Sequence, residues 1–175
     1  MAVQGLGNVG WNLCDLLSTA GAKLIITDSN TTQVSEACIS FGATAVLPEQ
    51  IYTVEADIFA PCAIGGILNA ETIPKLKVAI VAGGANNQLG SPLDGAALHA
   101  RGILYAPDFV ANGGGIINVA TEILKISDRP AFVEEKLIAL VMTMQAILGQ
   151  AKAENTCPDA VAVATVQTKM ARSAA

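Results

Sequence analysis

Short apolar runs alternate with segments of helical periodicity over roughly the first two thirds of the chain. We predict strands at 2–4, 23–27, 43–46, 57–60, 78–82 and 103–105. The segments between them predict helices at 8–20, 30–41, 70–75 and 92–101. Asn30 or Thr31 can cap the second helix, and Gly42 can end it because glycine readily adopts the left-handed conformation. Strands that alternate with helices in this way are typical of βαβ units and a parallel sheet.

The pattern changes near residue 112, after which apolar positions recur only at helical spacing. We predict three further helices, at 114–126, 130–153 and 159–172. Pro130 suits a first helical turn, and residues 156–159 form a break between the last two helices. The predicted fold is therefore α/β, a doubly wound and mostly parallel sheet followed by C-terminal helices. We expect a domain at 1–125, with the helices of 126–175 packing on it or toward another domain.

The first predicted strand runs directly into a glycine-rich turn, Gly5-Leu6-Gly7-Asn8-Val9-Gly10, and a helical pattern follows. In a Gly-x-Gly-x-x-Gly turn the first glycine bends the chain and the second lets backbone approach a pyrophosphate. The third glycine lets the helix pack closely on the strand. The free N–H groups and the dipole at the start of the helix favour phosphate. The context predicts a Rossmann-type dinucleotide site, although such a turn can also serve only to pack a helix.

The second predicted strand ends at Asp28, which lies 23 residues after Gly5. That spacing is close to the ~20 residues expected for a carboxylate that binds ribose hydroxyls. A carboxylate there accepts hydrogen bonds from the ribose and repels a 2′-phosphate. The sequence therefore favours NAD over NADP.

Composition narrows the possible partners. The chain is 52% hydrophobic and 14% charged, with a net charge of −5, so no basic stripe is available for nucleic acid. No run approaches the ~18 apolar residues of a membrane span, and we expect no membrane partner and no signal peptide. The cysteines are scattered and His99 is the only histidine, which argues against a metal site and suits reduced thiols in the cytoplasm.

The position of the glycine turn suggests that a domain is missing. Only Met1 precedes the first predicted strand, which leaves no room before it for a substrate domain. An unusually apolar composition also suits a domain that packs against a partner. We expect a cofactor domain separated from a longer enzyme.

Three further glycine-rich segments lie beyond the first turn: 60–66 and 82–88, each after a predicted strand, and 112–118, before the first C-terminal helix. α/β folds bind their ligands at strand ends. In the second segment Asn86, Asn87 and Gln88 each offer a donor and an acceptor, the complement of a carboxamide or an amino-acid head group. Each segment alone is more often a turn than a site, but together with the first turn they favour a ligand site.

Five motifs resemble the cofactor half of the glutamate/leucine/phenylalanine/valine dehydrogenases, and most closely the leucine and phenylalanine branch. They occupy, in order, residues 4–10, 60–63, 84–88, 105–108 and 114–119. The resemblance spans roughly residues 1–125, and beyond that only the helical character is similar. Leucine enzymes often have alanine where Gly10 stands, and we expect the two residues to be interchangeable at that position.

The resemblance implies an NAD-dependent oxidative deamination of an L-amino acid, branched-chain or aromatic, to a 2-oxo acid, ammonia and NADH. In that family the catalytic lysines and aspartate belong to an N-terminal domain. None of the seven lysines here lies in a comparable glycine-rich setting, so we expect no catalytic residue in this chain and no activity of the chain alone. The implied partners are the missing N-terminal domain, the amino-acid or 2-oxo-acid substrate, and further copies in a homo-oligomer.

The resemblance also implies a role for individual positions. The pyrophosphate side comprises Gly5, Gly7, Asn8, Val9 and Gly10, and the adenosine ribose side comprises Asp28 and Ser29. The adenine and nicotinamide-ribose side comprises Cys62, Ala63 and Ile64. The nicotinamide amide and the substrate head group would meet Gly84, Ala85, Asn86 and Asn87. The substrate side chain would meet Ile116 and Val119, for which ordinary helix packing is the alternative. We expect Trp11, Asp94, His99 and Asp108 to be structural.

Two other functions stay open. Another two-domain NAD oxidoreductase, acting on alanine or a 2-hydroxy acid, usually places a catalytic histidine or arginine in or beside this domain. Here His99, Arg101, Arg129 and Arg172 all lie away from the strand-end motifs. A stand-alone regulatory module that senses a dinucleotide needs only the first βαβ unit, and it leaves the amides of residues 86–88 without a role.

Overall fold

A six-stranded sheet forms the centre of the protein. In the structure, a computed structural model that describes residues 1–173, the strands are β1 (Ala2–Gln4), β2 (Ile25–Thr27), β3 (Thr44–Ala45), β4 (Ile58–Pro61), β5 (Ile80–Val81) and β6 (Leu104–Tyr105). Their order is β3-β2-β1-β4-β5-β6, and every pairing is parallel. The predicted α/β class with a doubly wound parallel sheet is confirmed.

The direction of winding reverses at β1, which lies between β2 and β4. Val3 is in register with Ile26 on one side and with Ala60 on the other. In open α/β sheets ligands bind beside such a switch point, outside the carboxyl ends of the strands. The glycine turn of residues 5–10 starts at this point.

Seven α-helices lie in the described part of the chain. They are α1 (Asn8–Thr19), α2 (Thr31–Phe41), α3 (Asp94–Ala100), α4 (Asp108–Ala111), α5 (Gly114–Ile123), α6 (Arg129–Glu154) and α7 (Pro158–Ser173). The Asn30 side chain caps α2 by accepting from the N–H groups of Thr32 and Gln33, and Gly42 ends it with φ +62°. The Asp128 side chain caps α6, and Pro130 lies in its first turn. The two ends of α2 and the place of Pro130 follow the sequence prediction, whereas the Asp128 cap was not predicted.

Some predicted elements differ from the structure. The predicted helix at 70–75 is only a 3-10 turn, Ile73–Lys75. The Asn69 side chain accepts from the N–H groups of Glu71 and Thr72, and this local bond competes with a helix. A second 3-10 turn, Ile51–Thr53, and the short helix α4 were not predicted.

Both faces of the sheet are buried, as expected where crossover helices cover a parallel sheet. Alternate residues of a strand point to opposite faces. Ala2 and Phe59 belong to one core cluster, whereas Val3 and Ala60 belong to the other, which also contains Cys14 of α1. A third cluster joins α4, α6 and α7 through residues such as Val110, Ile147 and Val161. The division of the chain at residue 125 stays a prediction. In the part that the structure describes, no helix is both long and apolar enough to cross a membrane.

Candidate dinucleotide-binding site

Two glycines of the first turn are required by close contacts. Gly5 has φ +97°, and a Cβ there would lie 2.7 Å from Cβ and 2.8 Å from N of Ala63. A Cβ on Gly10 would overlap the carbonyl oxygen of Gly5 and would lie 2.9 Å from its carbonyl carbon. The expectation that alanine could replace Gly10 is therefore wrong for this backbone, because α1 packs directly on the turn that precedes it.

Gly7 differs from its two neighbours. It is exposed, and nothing lies within 4 Å of the position that its Cβ would take. It is also the N-cap of the twelve-residue helix α1, and no side chain caps this end. The first N–H groups of a helix lack partners within the helix, and together with the helix dipole they favour an anion. Open space beside an uncapped helix start suits a pyrophosphate.

Asp28 stabilises the turn from the end of β2. Its carboxylate accepts from the N–H of Leu6 at 2.5 Å and from the N–H of Asn30 at 2.8 Å, while the Ser29 hydroxyl lies 3.4 Å away. Partial burial raises the pKa of Asp28, but the hydrogen bonds from Asn30, Leu6 and Ser29 together lower it more, and the net pKa lies below the ordinary value. The side chain is therefore anionic at neutral pH and stands beside the glycine turn.

The turns after β4 and β5 pack tightly on each other. A Cβ on Gly65 would lie 2.7 Å from the carbonyl oxygens of both Asn86 and Asn87. A Cβ on Gly83 would lie 2.5 Å from the nitrogen of Pro61, and the Ala85 N–H donates to the Pro61 carbonyl at 2.9 Å. Glycine is needed here because two backbones meet, so these segments form one closely packed edge.

Gln88 is a structural residue in this edge. Its side chain is fully buried, and Nε2 donates to the carbonyls of Gly83 at 2.9 Å and Ala85 at 3.0 Å. The amide therefore closes the turn 83–88 on itself and does not face a ligand. Of the three neighbouring amides, only Asn86 and Asn87 are exposed.

A cleft of 650 Å³ opens between the glycine turn and the start of the C-terminal helices. Its lining residues are Val9, Gly84, Asn86, Asn87, Asp108, Phe109, Asn112, Gly113, Gly115 and Ile116. Across it the Asn112 Nδ2 donates to the Asn86 Oδ1. The structure thus brings together predicted residues from the first turn, from the β5 turn and from α5.

Other predicted residues do not line this cleft. Asn8, Ser29, Ala63 and Ile64 are exposed, whereas Gly5, Gly10 and Ala85 are buried in the turns. Cys62 is half-buried, and burial raises the pKa of its thiol. Val119 is 51% exposed on α5, one turn beyond Ile116, which is 75% exposed. Both side chains are thus more than half exposed.

Sequence reasoning missed Asp108, Phe109 and Asn112 on the cleft wall. Asp108 was expected to be only structural, and Asn112 belonged to a glycine-rich segment without a role of its own. The local signals were the 105–108 motif, which ends at Asp108, and the position of Asp108 and Phe109 soon after β6, since strand ends carry the ligands of α/β folds. Burial first, and the charge of Asp108 second, raise the pKa of Tyr105. Within residues 1–173, no group of three or more acidic, histidine or cysteine side chains could hold a metal ion.

Comparison with known proteins places the chain in a family. Residues 28–173 match the family model described as glutamate/leucine/phenylalanine/valine dehydrogenase. Leucine dehydrogenase of Geobacillus stearothermophilus is 48% identical over 155 residues, which are 89% of this chain and 42% of that protein. L-tryptophan dehydrogenase of Nostoc punctiforme is 50% identical over 133 residues, 75% of this chain and 38% of that protein.

A solved structure agrees with the sequence comparison. The crystal structure of L-tryptophan dehydrogenase from Nostoc punctiforme superposes with a TM-score of 0.91 at 42% identity, and the match covers 98% of this chain and 52% of that one. The chain therefore spans about half or less of the length of these relatives. The protein belongs to the glutamate/leucine/phenylalanine/valine dehydrogenase family of oxidoreductases.

Proposed function

We propose that this chain is the NAD-binding domain of a dehydrogenase that oxidatively deaminates an L-amino acid, branched-chain or aromatic. One observation carries the proposal. Gly7 leaves open space at the uncapped start of α1, and the anionic Asp28 holds the same turn from the neighbouring strand. The two features lie together at the point where the sheet reverses its winding.

The residues present fit this cofactor. The backbone of Gly7, Asn8 and Val9 would bind the pyrophosphate, because no side chain takes up the N–H groups of this helix end. Asp28 would accept hydrogen bonds from the adenosine ribose, and its charge would repel a 2′-phosphate. Cys62, Ala63 and Ile64, on the turn after β4, would contact the adenine and nicotinamide-ribose side. Bound NAD would supply the acceptor for the hydride that leaves the substrate.

The cleft would hold the nicotinamide end and part of the substrate. Asn86 and Asn87 are exposed amides on its wall, with Gly84 and Ala85 shaping the turn that carries them. Ile116 and Phe109 offer apolar contacts to a substrate side chain, and Val119 extends the same face of α5. The relatives are a leucine dehydrogenase and an L-tryptophan dehydrogenase, which supports an L-amino acid as substrate.

The catalytic residues would lie outside this chain. The cleft is lined without any lysine, arginine or histidine from the described residues. A lysine that activates water, as the family resemblance implies, would have to come from a catalytic domain on the rest of a longer polypeptide. We therefore propose that this chain alone binds NAD without turning over substrate. We also propose that the full enzyme is a cytoplasmic homo-oligomer.

Titration calorimetry of the purified chain with NAD⁺ tests the cofactor assignment. We expect binding by the native chain and none by Gly7→Val, whose side chain would fill the open space beside α1. Gly149→Val is the matched control, because this exposed glycine of α6 also has nothing within 4 Å of its Cβ position. Circular dichroism should show both variants folded. If folded Gly7→Val bound NAD⁺ as tightly as the native chain, the glycine turn would serve only to pack α1 and not to bind the cofactor.

The same preparation tests the proposed lack of activity. With leucine, phenylalanine or tryptophan and NAD⁺, the absorbance of NADH should stay at its starting value. Sustained NADH formation by the pure chain would show that catalytic groups are present after all.

A further inference from the structure

Asp108 makes contacts that connect two walls of the cleft. Its side chain is 7% exposed. One carboxylate oxygen accepts from the Gln88 N–H at 2.8 Å and the other from the Phe109 N–H at 2.7 Å. A buried carboxylate is unfavourable unless hydrogen bonds compensate for the lost water. The two bonds therefore tie the β5 turn to the start of α4 through one side chain.

The β5 wall depends on the first of these bonds. Gln88 closes the turn 83–88 by binding the carbonyls of Gly83 and Ala85. The exposed Asn86 lies within this closed turn, so its position follows the turn as a unit. The Gln88 N–H is the point at which Asp108 holds that unit in place.

The α4 wall begins at Asp108 itself. Asp108 is the first residue of α4, and its carbonyl accepts from the Asn112 N–H at 2.8 Å. The Asn112 side chain in turn donates to Asn86 across the cleft. Asp108 is thus linked to both members of this amide pair through hydrogen bonds to neighbouring backbone groups.

The amide pair has a defined chemical character. Its internal hydrogen bond uses one N–H of Asn112 and the carbonyl oxygen of Asn86. The NH₂ of Asn86 is left as a donor, and the carbonyl oxygen of Asn112 is left as an acceptor. A donor beside an acceptor is the complement of a primary carboxamide, the group that the nicotinamide end of NAD carries.

We propose that Asp108 is a positioning residue that holds the Asn86–Asn112 amide pair in the geometry that recognises the carboxamide of NAD. The inference rests on the proposed function, because it assigns the cleft to the nicotinamide end. Asparagine at position 108 keeps the shape but puts an NH₂ group against one of the two N–H donors. The side-chain link between the two walls is then weakened and the amide pair separates.

The test compares NAD⁺ with ADP-ribose, which keeps the adenosine, the pyrophosphate and the second ribose but lacks nicotinamide. Calorimetry on the purified chain should show that Asp108→Asn lowers NAD⁺ affinity about tenfold, the loss expected for a hydrogen bond to a charged group. Affinity for ADP-ribose should stay unchanged, since the Gly5–Asp28 region is untouched. General damage to the fold would lower both affinities together.

Asp94→Asn is the matched control. Asp94 is 8% exposed and its carboxylate also accepts two hydrogen bonds, from the Ser91 N–H at 2.6 Å and the Ser91 hydroxyl at 2.9 Å, away from the cleft. Both bonds end on one oxygen, which asparagine keeps, so Asp94→Asn should remove a buried charge and leave the ratio of the two affinities unchanged. Equal losses for NAD⁺ and ADP-ribose in Asp108→Asn, or no loss for either, would overturn the inference.

Asn112→Ala keeps the inference testable if Asp108→Asn does not fold. It removes one member of the amide pair without touching the carboxylate, and it should lower NAD⁺ affinity selectively. In that background Asp108→Asn should cause little further loss, because both changes act on one interaction. A native chain that binds neither ligand would refute the proposed function. A native chain that binds both, with a ratio that no variant alters, would refute only the role of Asp108.

Discussion

Gly10→Ala tests how closely α1 packs on the glycine turn. The added methyl group would overlap the carbonyl oxygen of Gly5 and lie 3.2 Å from Cβ of Cys62. Backbone on both sides must then move, by the order of 1 Å, and overpacking of this kind typically costs about 1–3 kcal/mol. Alanine in a helix gains about 1 kcal/mol over glycine. The expected net loss of stability is therefore up to about 2 kcal/mol.

The two contributions can be separated with a second glycine. Gly149→Ala, at an exposed position in the C-terminal part of α6, has the same gain in helix propensity, and nothing lies within 4 Å of its Cβ. We expect Gly149→Ala to raise the unfolding temperature and Gly10→Ala to lower it. A difference of about 1–3 kcal/mol corresponds to about 2–12 °C for a domain of this size. Differential scanning calorimetry measures both. If both variants shifted the unfolding temperature equally, the packing argument would be refuted and alanine would be tolerated at position 10.

Asp28, Asp159 and the exposed cleft wall each lead to a further expectation. Like charges ~4 Å apart cost about 1–4 kcal/mol at effective dielectrics of 80 to 20, so NAD should bind about fivefold to several hundredfold more tightly than NADP. Calorimetry should show a smaller ratio of NAD affinity to NADP affinity for Asp28→Ser than for the exposed control Asp15→Ser. Equal affinities of the native chain for NAD and NADP would contradict the role of Asp28. Burial first, and the charge of Asp108 second, raise the pKa of Asp159 above its ordinary value. Its folded form thus holds the proton more tightly than its unfolded form, and this residue adds stability as the pH falls from 7 toward about 4. Asp159→Asn should be more stable than the native chain at pH 7. The difference in their free energies of unfolding, measured by urea denaturation, should shrink as the pH is lowered. A difference that does not change with pH would contradict the raised pKa of Asp159. The exposed Ile116 and Val119 should promote weak dimerisation of the isolated chain, and Ile116→Ser should dimerise less. If sedimentation showed only monomer at high concentration, an exposed docking face would be contradicted.

The order and type of the main elements could be predicted because they depend on local patterns. Apolar periodicity predicted each of the six strands and most helices. Residue type predicted the caps of α2 at Asn30 and Gly42 and the place of Pro130 in a first helical turn. Strand lengths were less accurate. The predicted strand 78–82 is only Ile80–Val81, since a strand extends no further than its neighbours pair with it.

Part of the candidate site was also local. The glycine turn and Asp28 follow from spacing along one βαβ unit, and the structure joins them through the bond from the Leu6 N–H. The need for glycine at position 10 was not visible in the same way. It depends on the distance between a helix and the turn before it, which only the packed backbone determines.

The cleft wall was decided by tertiary structure. Asn86 and Asn112 are 26 residues apart, and Gln88 and Asp108 are 20 residues apart. No periodic pattern connects such positions, because their contact depends on how the ends of β5 and β6 lie side by side. For the same reason Gln88, which looks like a ligand amide in the sequence, is a buried support in the structure. The sequence by itself determined the class of fold and the first half of the site. The packing of distant strand ends determined which of the polar side chains face the cleft.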